Sequence, residues 1–238
     1  MSGAPALVAD GLTRHFDGFV AVDRLDLRVE AGAIHALVGL NGAGKTTTMQ
    51  MFLGMTVPDR GRALILGEEP LAADWSRVGH CLDAPFAYGE LSVRANLTAA
   101  GLFHGISRDT VDEDVSTAIE RFELAQWEDK RASVLSTGNL QRVGLAAATI
   151  HRPHVLLLDE PTNHLDPAGV VLVRDLLREI AAGGGAILLS SHHLDELARI
   201  SDDITVLHRG RDIGRLDSEG VDVEREFFAM VYESERAR

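Results

Sequence analysis

Cysteine is almost missing. Cys81 is the only one in 238 residues, so no disulfide can form within the chain. That usage agrees with a reducing compartment. Cys81 lies in the apolar stretch 78–82 and reads as a small buried hydrophobe, not a reactive thiol. Aromatic residues make up only 5%, which leaves the core to Leu, Val, Ile and Ala. Positive charge is also short: 23 Lys and Arg stand against 36 Asp and Glu, a net charge of −13. A partner with a phosphate backbone needs the opposite balance, which argues against nucleic acid, and the acidity reads as a solubility feature. No apolar run approaches the ~20 residues that span a bilayer. Residues 1–7 carry neither the basic nor the long apolar part of a signal peptide. The chain is not expected to enter a membrane by itself.

What is present is the balance of a globular protein, 45% hydrophobic and 25% charged, with no repeat and no low-complexity segment. Apolar alternation predicts short, antiparallel strands at 19–22 and 25–29. Apolar runs predict strands at 34–38, 62–66, 78–82, 155–158, 186–189 and 204–208, and another ending near 216 after a turn at Arg209 and Gly210. Helical patterns cover 46–52, 93 to about 124, 136 to about 150, 168–182 and 194–200, with a closing helix at 221–232. Asp109 is the expected N-cap of a helix over 110–122, and Gly183 to Gly185 stop the helix before them. Strands alternating with helices imply an α/β fold, a mainly parallel sheet with helices on both faces. An antiparallel β part should precede the main sheet, and a helical subdomain at about 90–140 should be inserted in the core of a single domain, 1–238, with a short tail at 217–238.

Gly39-Leu40-Asn41-Gly42-Ala43-Gly44-Lys45-Thr46 matches G-x-x-x-x-G-K-[ST] in full, between an apolar strand and a helix. Glycines let the backbone turn its N–H groups toward phosphate at the positive end of the following helix. Lys45 would place a charge on the β- and γ-phosphates, and the Thr46 hydroxyl would hold Mg²⁺. The loop therefore predicts binding of ATP or a related triphosphate by Gly39, Asn41, Gly42, Ala43, Gly44, Lys45, Thr46 and Thr47.

The apolar strand 155–158 delivers two adjacent carboxylates, Asp159 and Glu160. Charges at the end of a buried strand are costly unless they meet a cation or a reactive water. Asp159 is assigned to the metal and Glu160 to the water that attacks the γ-phosphate. Alone this pattern is weak; with the phosphate loop it specifies a nucleoside triphosphatase.

Leu135-Ser136-Thr137-Gly138-Asn139-Leu140-Gln141-Arg142 resembles the L-S-G-G-Q signature of ATP-binding cassette (ABC) proteins. Residues 160–166, Glu-Pro-Thr-Asn-His-Leu-Asp, resemble the Walker B end and D-loop of that family, and Ser190-Ser191-His192 its H-loop. Phe16, twenty-nine residues before Lys45, stands where the family stacks an aromatic on adenine, with Phe19 and His15 as neighbouring alternatives. The order and spacing cover essentially the whole chain.

The resemblance implies ATP and Mg²⁺ as cofactors, and hydrolysis by Lys45, Glu160 and His192. It implies a head-to-tail pair with a second ABC ATPase subunit, in which Ser136 and Gly138 of one copy face the γ-phosphate of the other. It also implies a transmembrane permease on a separate chain and a peripheral place on the cytoplasmic face of the plasma membrane. Two departures stand out. Asp83 occupies the loop where the family has Gln, and is expected either to ligate on the metal side or to point away in the resting state, because a second anion about 4 Å from a phosphate oxygen costs a few kcal/mol at an effective dielectric near 20 unless Mg²⁺ sits between. Thr137 replaces the first signature glycine. The carboxylate in the Asp83 loop and the Gln-Arg ending of the signature are similar to bacterial exporters of antibiotics, peptides or drugs. The alternative is a cytosolic ABC ATPase driving a soluble complex, such as a metal-cluster assembly factor; a P-loop kinase or GTPase and a non-hydrolysing regulatory cassette are more distant readings. His193 is read as a solvated helix residue, because adjacent residues at a helix start do not face one another. Residues 128–131 are read as a charged, solvated face.

Overall fold

The computed structural model describes residues 4–82, 85, 87–217 and 222–236. The chain opens with strands β1 (Leu7–Phe16) and β2 (Phe19–Val29), paired antiparallel. Between them Asp17 and Gly18 take φ of 41° and 83°, the backbone that a two-residue hairpin turn requires. After β3 (Ile34–Val38) and helix α1 (Lys45–Phe52), strand β4 (Arg60–Ile65) joins the other side of β1. A three-stranded antiparallel sheet, β2-β1-β4, results.

The main sheet adds β5 (Val78–Cys81), β6 (Val155–Asp159), β7 (Ala186–Ser190), β8 (Asp203–His208) and β9 (Arg211–Leu216). Its order is β5-β6-β7-β3-β8-β9, parallel up to β8, with β9 antiparallel at the edge. Helices α2 (Val93–Phe103), α3 (Val111–Arg121) and α4 (Thr137–Thr149) fill the strand-free stretch between β5 and β6. Helix α5 (Pro167–Ala182) links β6 to β7, α6 (Leu194–Ala198) links β7 to β8, and α7 (Val223–Arg236) follows β9.

Every residue of β3, β6 and β7 is buried, because both faces of this sheet are covered. The pleat then divides each strand between two cores. Val155 and Leu157 join α1 and the antiparallel sheet, whereas Leu156 and Leu158 join the helices of the other face. Each such side chain contributes about 1.5–3 kcal/mol by leaving water.

The sequence expectations hold for the class and for most elements, and fail where local geometry breaks a period. β1 was not foreseen. Its pairing with β2 shifts register three times, and Gly11 sits within it at φ 60°, so the inside–outside alternation is interrupted. The two strands expected at 19–22 and 25–29 are one strand, β2, in which Arg24 at φ 53° marks the irregularity. Asp109 is not the cap of α3. The Ser107 carbonyl accepts the Val111 N–H at 3.0 Å, and the Ser107 hydroxyl accepts the Asp109 N–H at 3.1 Å. Helix α6 ends at Ala198, short of the expected Ile200, and α7 runs on to Arg236.

Candidate functional site

The loop from Gly39 to Lys45 leaves the buried end of β3 and enters α1. A Cβ at Gly39 would lie 2.4 Å from the Leu207 carbonyl, and one at Gly44 2.4 Å from the Ala21 carbonyl, so neither position has room for a side chain. Gly44, at φ 105°, is the N-cap of α1, and no side chain caps the helix. The first N–H groups of α1 are therefore free to donate to an anion at the positive helix end. Lys45 is buried, and its Nζ folds back to donate to the Gly39 carbonyl at 2.7 Å, placing the charge over the loop. Leu40, Asn41 and Gly42 are exposed, Thr47 is half-buried, and Ala43 is buried with its carbonyl accepting the Gly210 N–H at 2.9 Å.

The next residue ties this loop to β6. Thr46 Oγ1 donates to Asp159 Oδ2, and Ser190 Oγ donates to Asp159 Oδ1. The register explains the second bond, since Asp159 and Ser190 are paired at the ends of β6 and β7. One step on, the Glu160 N–H is shared between the Ser190 carbonyl at 3.1 Å and the Ser190 hydroxyl at 3.2 Å. Glu160 adopts φ 51°, a left-handed backbone that costs a non-glycine residue about 1–3 kcal/mol and turns the chain out of the strand. Glu160 Oε2 lies 2.9 Å from His192 Nδ1 and accepts the His192 N–H at 3.3 Å. The His192 ring remains more than half exposed. Lys45, Thr46, Asp159, Glu160 and His192 thus gather at the carboxyl ends of β3, β6 and β7, where parallel sheets bind ligands. The paired oxygens of Thr46 and Asp159 fit a hard divalent cation such as Mg²⁺.

The signature segment is held from another direction. Ser136 caps α4, its hydroxyl accepting the Asn139 N–H at 3.3 Å, and both Ser136 and Thr137 are exposed. A Cβ at Gly138 would lie 2.6 Å from the His164 carbonyl, so only glycine lets α4 approach the 160–166 loop this closely. Gln141 Nε2 donates to the Pro161 carbonyl at 3.1 Å, and Arg142 reaches Asp166 at 2.9 Å. That guanidinium holds the Asp166 carboxyl below the usual aspartate range.

Phe16 and Phe19 face each other across the hairpin turn, and both are exposed. The Arg14 guanidinium lies 4.6 Å from the Phe16 ring centroid. The close approach of Gly44 to Ala21 brings β2, and with it the hairpin, against the phosphate loop. Cys81 is buried, and burial pushes its thiol up to about 12. Asp83 lies outside the described residues. His193 is exposed as expected, but it does face His192. The two rings lie 4.0 Å apart, because both residues precede the first turn of α6. The sequence motifs contain Ser190 and Arg142 but assign neither a role. Ser190 was legible only as the small polar residue at the tip of the strand beside β6, and Arg142 only as a cation in an apolar helix face.

A lysine folded over a glycine loop, at the carboxyl end of a parallel strand, places this fold among the phosphate-loop nucleotide-binding proteins. Residues 22–163 match the family described as ABC transporter. The bacitracin transport ATP-binding protein BcrA of Enterococcus faecalis is 37% identical over 84% of this chain and 66% of its own length. The Nod factor export ATP-binding protein I of Bradyrhizobium diazoefficiens is 38% identical over 84% of this chain and 66% of its own. The chain thus spans about two thirds of these relatives. A solved structure described as the ATP-binding subunit of an ABC transporter superposes with a TM-score of 0.83 at 27% identity, over 94% of both chains. The chain belongs to the ABC transporter family. No described helix is long and apolar enough to cross a membrane.

Proposed function

We propose that this chain is the ATP-binding and ATP-hydrolysing subunit of an ABC exporter, of the kind that moves antibiotics, peptides or drugs, and that residues 1–238 form one domain. The observation that carries the reading is the pair Glu160 and His192, 2.9 Å apart, set beside Lys45 and the Thr46–Asp159 pair. Lys45 holds the β- and γ-phosphates once its Nζ leaves the Gly39 carbonyl. The N–H groups of the loop and of α1 hold the same phosphates, with Gly39, Asn41, Gly42, Ala43, Gly44 and Thr47 shaping the cradle. Thr46 and Asp159 hold Mg²⁺, which neutralises phosphate charge when bound.

Glu160 Oε2 orients a water and takes its proton as the water attacks the γ-phosphate. His192 fixes the Glu160 carboxylate and contacts the γ-phosphate. Phe16 stacks on adenine. The exposed start of α4, with Ser136 and Gly138, offers its N–H groups to the nucleotide of a second subunit, so ATP itself forms part of the interface. Hydrolysis then removes the contact that closes the pair. The BcrA and Nod factor relatives support export. A separate transmembrane permease would hold this chain at the cytoplasmic face of the plasma membrane.

The test is to tag the chain in its native cells, solubilise the membranes gently and identify what co-purifies by mass spectrometry. A polytopic membrane protein in roughly equal amount is expected. Soluble proteins alone, with the tag missing from the membrane fraction, would sink the transporter reading.

A further inference from the structure

Behind the catalytic loop lies a cavity of about 270 Å³ between α5, β7 and α6. Its walls are mainly apolar, with Val173, Leu177 and Leu189 buried among them. Two of its lining segments belong to the site. Pro161 and Thr162 follow Glu160 directly, and Ser191 precedes His192.

Three lining residues carry buried polar atoms that bond to no group among the described residues: Thr162 Oγ1, Arg174 Nε and Glu196 Oε2. Asp175 lies 3.7 Å from Arg174 Nε, too far for a hydrogen bond. Buried polar groups are nearly always paired, so three such atoms on the wall of one cavity are informative. A hydroxyl, a guanidinium donor and a carboxylate acceptor above an apolar floor make the arrangement of a small-molecule site. The volume falls just below the roughly 300–1,000 Å³ of drug-sized pockets, which limits the occupant to a compact molecule. The lining holds two cations, Arg174 and Arg199, and two anions, Asp195 and Glu196, so an uncharged occupant keeps the charges balanced, whereas a charged one must lose its hydration beside a like charge.

We infer that this cavity binds a compact, uncharged molecule with one hydrogen-bond donor and one acceptor, a carboxamide with a short apolar tail being the simplest, and that its occupancy tunes Glu160 and His192. The acceptor takes the Arg174 Nε–H, and the donor goes to Glu196 or Thr162. The occupant is packed against the residues that follow Glu160 and precede His192, so it fixes the spacing of that pair. This second half rests on the ATPase reading; the binding half does not.

The test uses the full chain with methyl-labelled Val and Leu, and hexanamide as the probe. Saturable shifts at Val173, Leu177 and Leu189 are expected without nucleotide, with a Kd on the order of 1 mM for so few atoms. Hexanoate and hexylamine should bind at least about tenfold more weakly, because each brings an unmatched charge. Val170→Trp, which fills the cavity from its half-buried rim, should abolish the shifts. Glu196→Gln keeps the shape and leaves two lining cations against one anion, so it should move the preference toward hexanoate. Absent or non-saturable shifts, or equal affinity for all three probes, would overturn the site. Steady-state ATP turnover is then measured with and without saturating hexanamide. A change in the unsubstituted protein that disappears in Val170→Trp supports the coupling. Saturable binding with unchanged turnover would overturn the coupling alone and leave the site standing.

Discussion

The Arg142 guanidinium, on the buried face of α4, bonds at 2.9 Å to Asp166, the residue whose carboxylate caps α5 by accepting the Gly169 N–H. The same guanidinium donates to the Phe122 carbonyl at 3.1 Å and to Glu123 Oε2 at 2.5 Å. One side chain therefore ties the end of the α3 segment, the signature helix and the loop after Glu160. The position of Ser136 relative to Glu160 follows from this tie.

Arg142→Ala should lower stability by about 2 kcal/mol, the worth of charge-assisted bonds discounted for two carboxylates that are largely exposed. Arg142→Lys should recover little, since an ammonium on a flexible stem cannot serve three acceptors in a fork. Urea midpoints of the three proteins check this. A Lys variant as stable as the parent would mean that the charge matters and the fork does not.

Glu160→Gln should reduce ATP turnover about 10²–10⁴-fold, the usual contribution of a general base. Its carbonyl still accepts the His192 N–H, so the loop should keep its shape. ATP-bound dimer should then accumulate on size exclusion, while the parent returns to monomer as it hydrolyses. Persistent monomer at saturating Mg·ATP would count against the sandwich mechanism.

Lys45→Ala should weaken Mg·ATP binding by about 100-fold, since a charge-assisted bond to phosphate is worth about 1.5–3 kcal/mol. The fold should survive, because among the described residues Lys45 Nζ bonds to the Gly39 carbonyl alone. Titration by calorimetry, with a thermal melt as control, reads both. Affinity within a few-fold of the parent would remove the loop from the site.

Phe16→Ala should weaken ATP about tenfold and leave inorganic triphosphate unchanged, as expected of a base-stacking ring. Phe19→Ala should change neither, although Phe19 is the more exposed of the two, 54% against 40%. Reversed results would move the adenine platform across the hairpin.

The parallel sheet and the phosphate loop were legible because their signals are local. Residues 155–158 form an unbroken apolar run because both faces of β6 are covered, and Gly39 to Thr46 carry their chemistry in consecutive positions. β1 was hidden because Gly11 and three register shifts break its alternation, so what stabilises it is its pairing with both β2 and β4. Ser190 and Arg142 were hidden for a different reason. Their partners lie on other elements, 31 positions away for Asp159 and 24 for Asp166, and no spacing rule along the chain connects them. The turn at Glu160 likewise follows from β7 lying beside β6, which lets Ser190 hold the Glu160 N–H.

Acid should destabilise the fold through His35, which is buried on β3 with Nε2 2.6 Å from Thr205 Oγ1 of β8. Burial pushes its pKa down to about 4, against an opposing pull from Asp203. The unfolded imidazole titrates near 6.5, so between these values the unfolded chain binds a proton that the folded chain refuses. Stability is therefore full above about pH 6.5, falls as the pH drops toward 4, and levels off below. From pH 7 to pH 5 the loss from His35 alone should be about 2 kcal/mol. His151, also pushed down to about 4 by burial, adds to the same slope, so the test must be differential. Urea unfolding at both pH values should show the parent losing about 2 kcal/mol more than His35→Gln, whose amide still reaches Thr205 without titrating. Equal losses would mean that the folded protein accommodates a protonated His35.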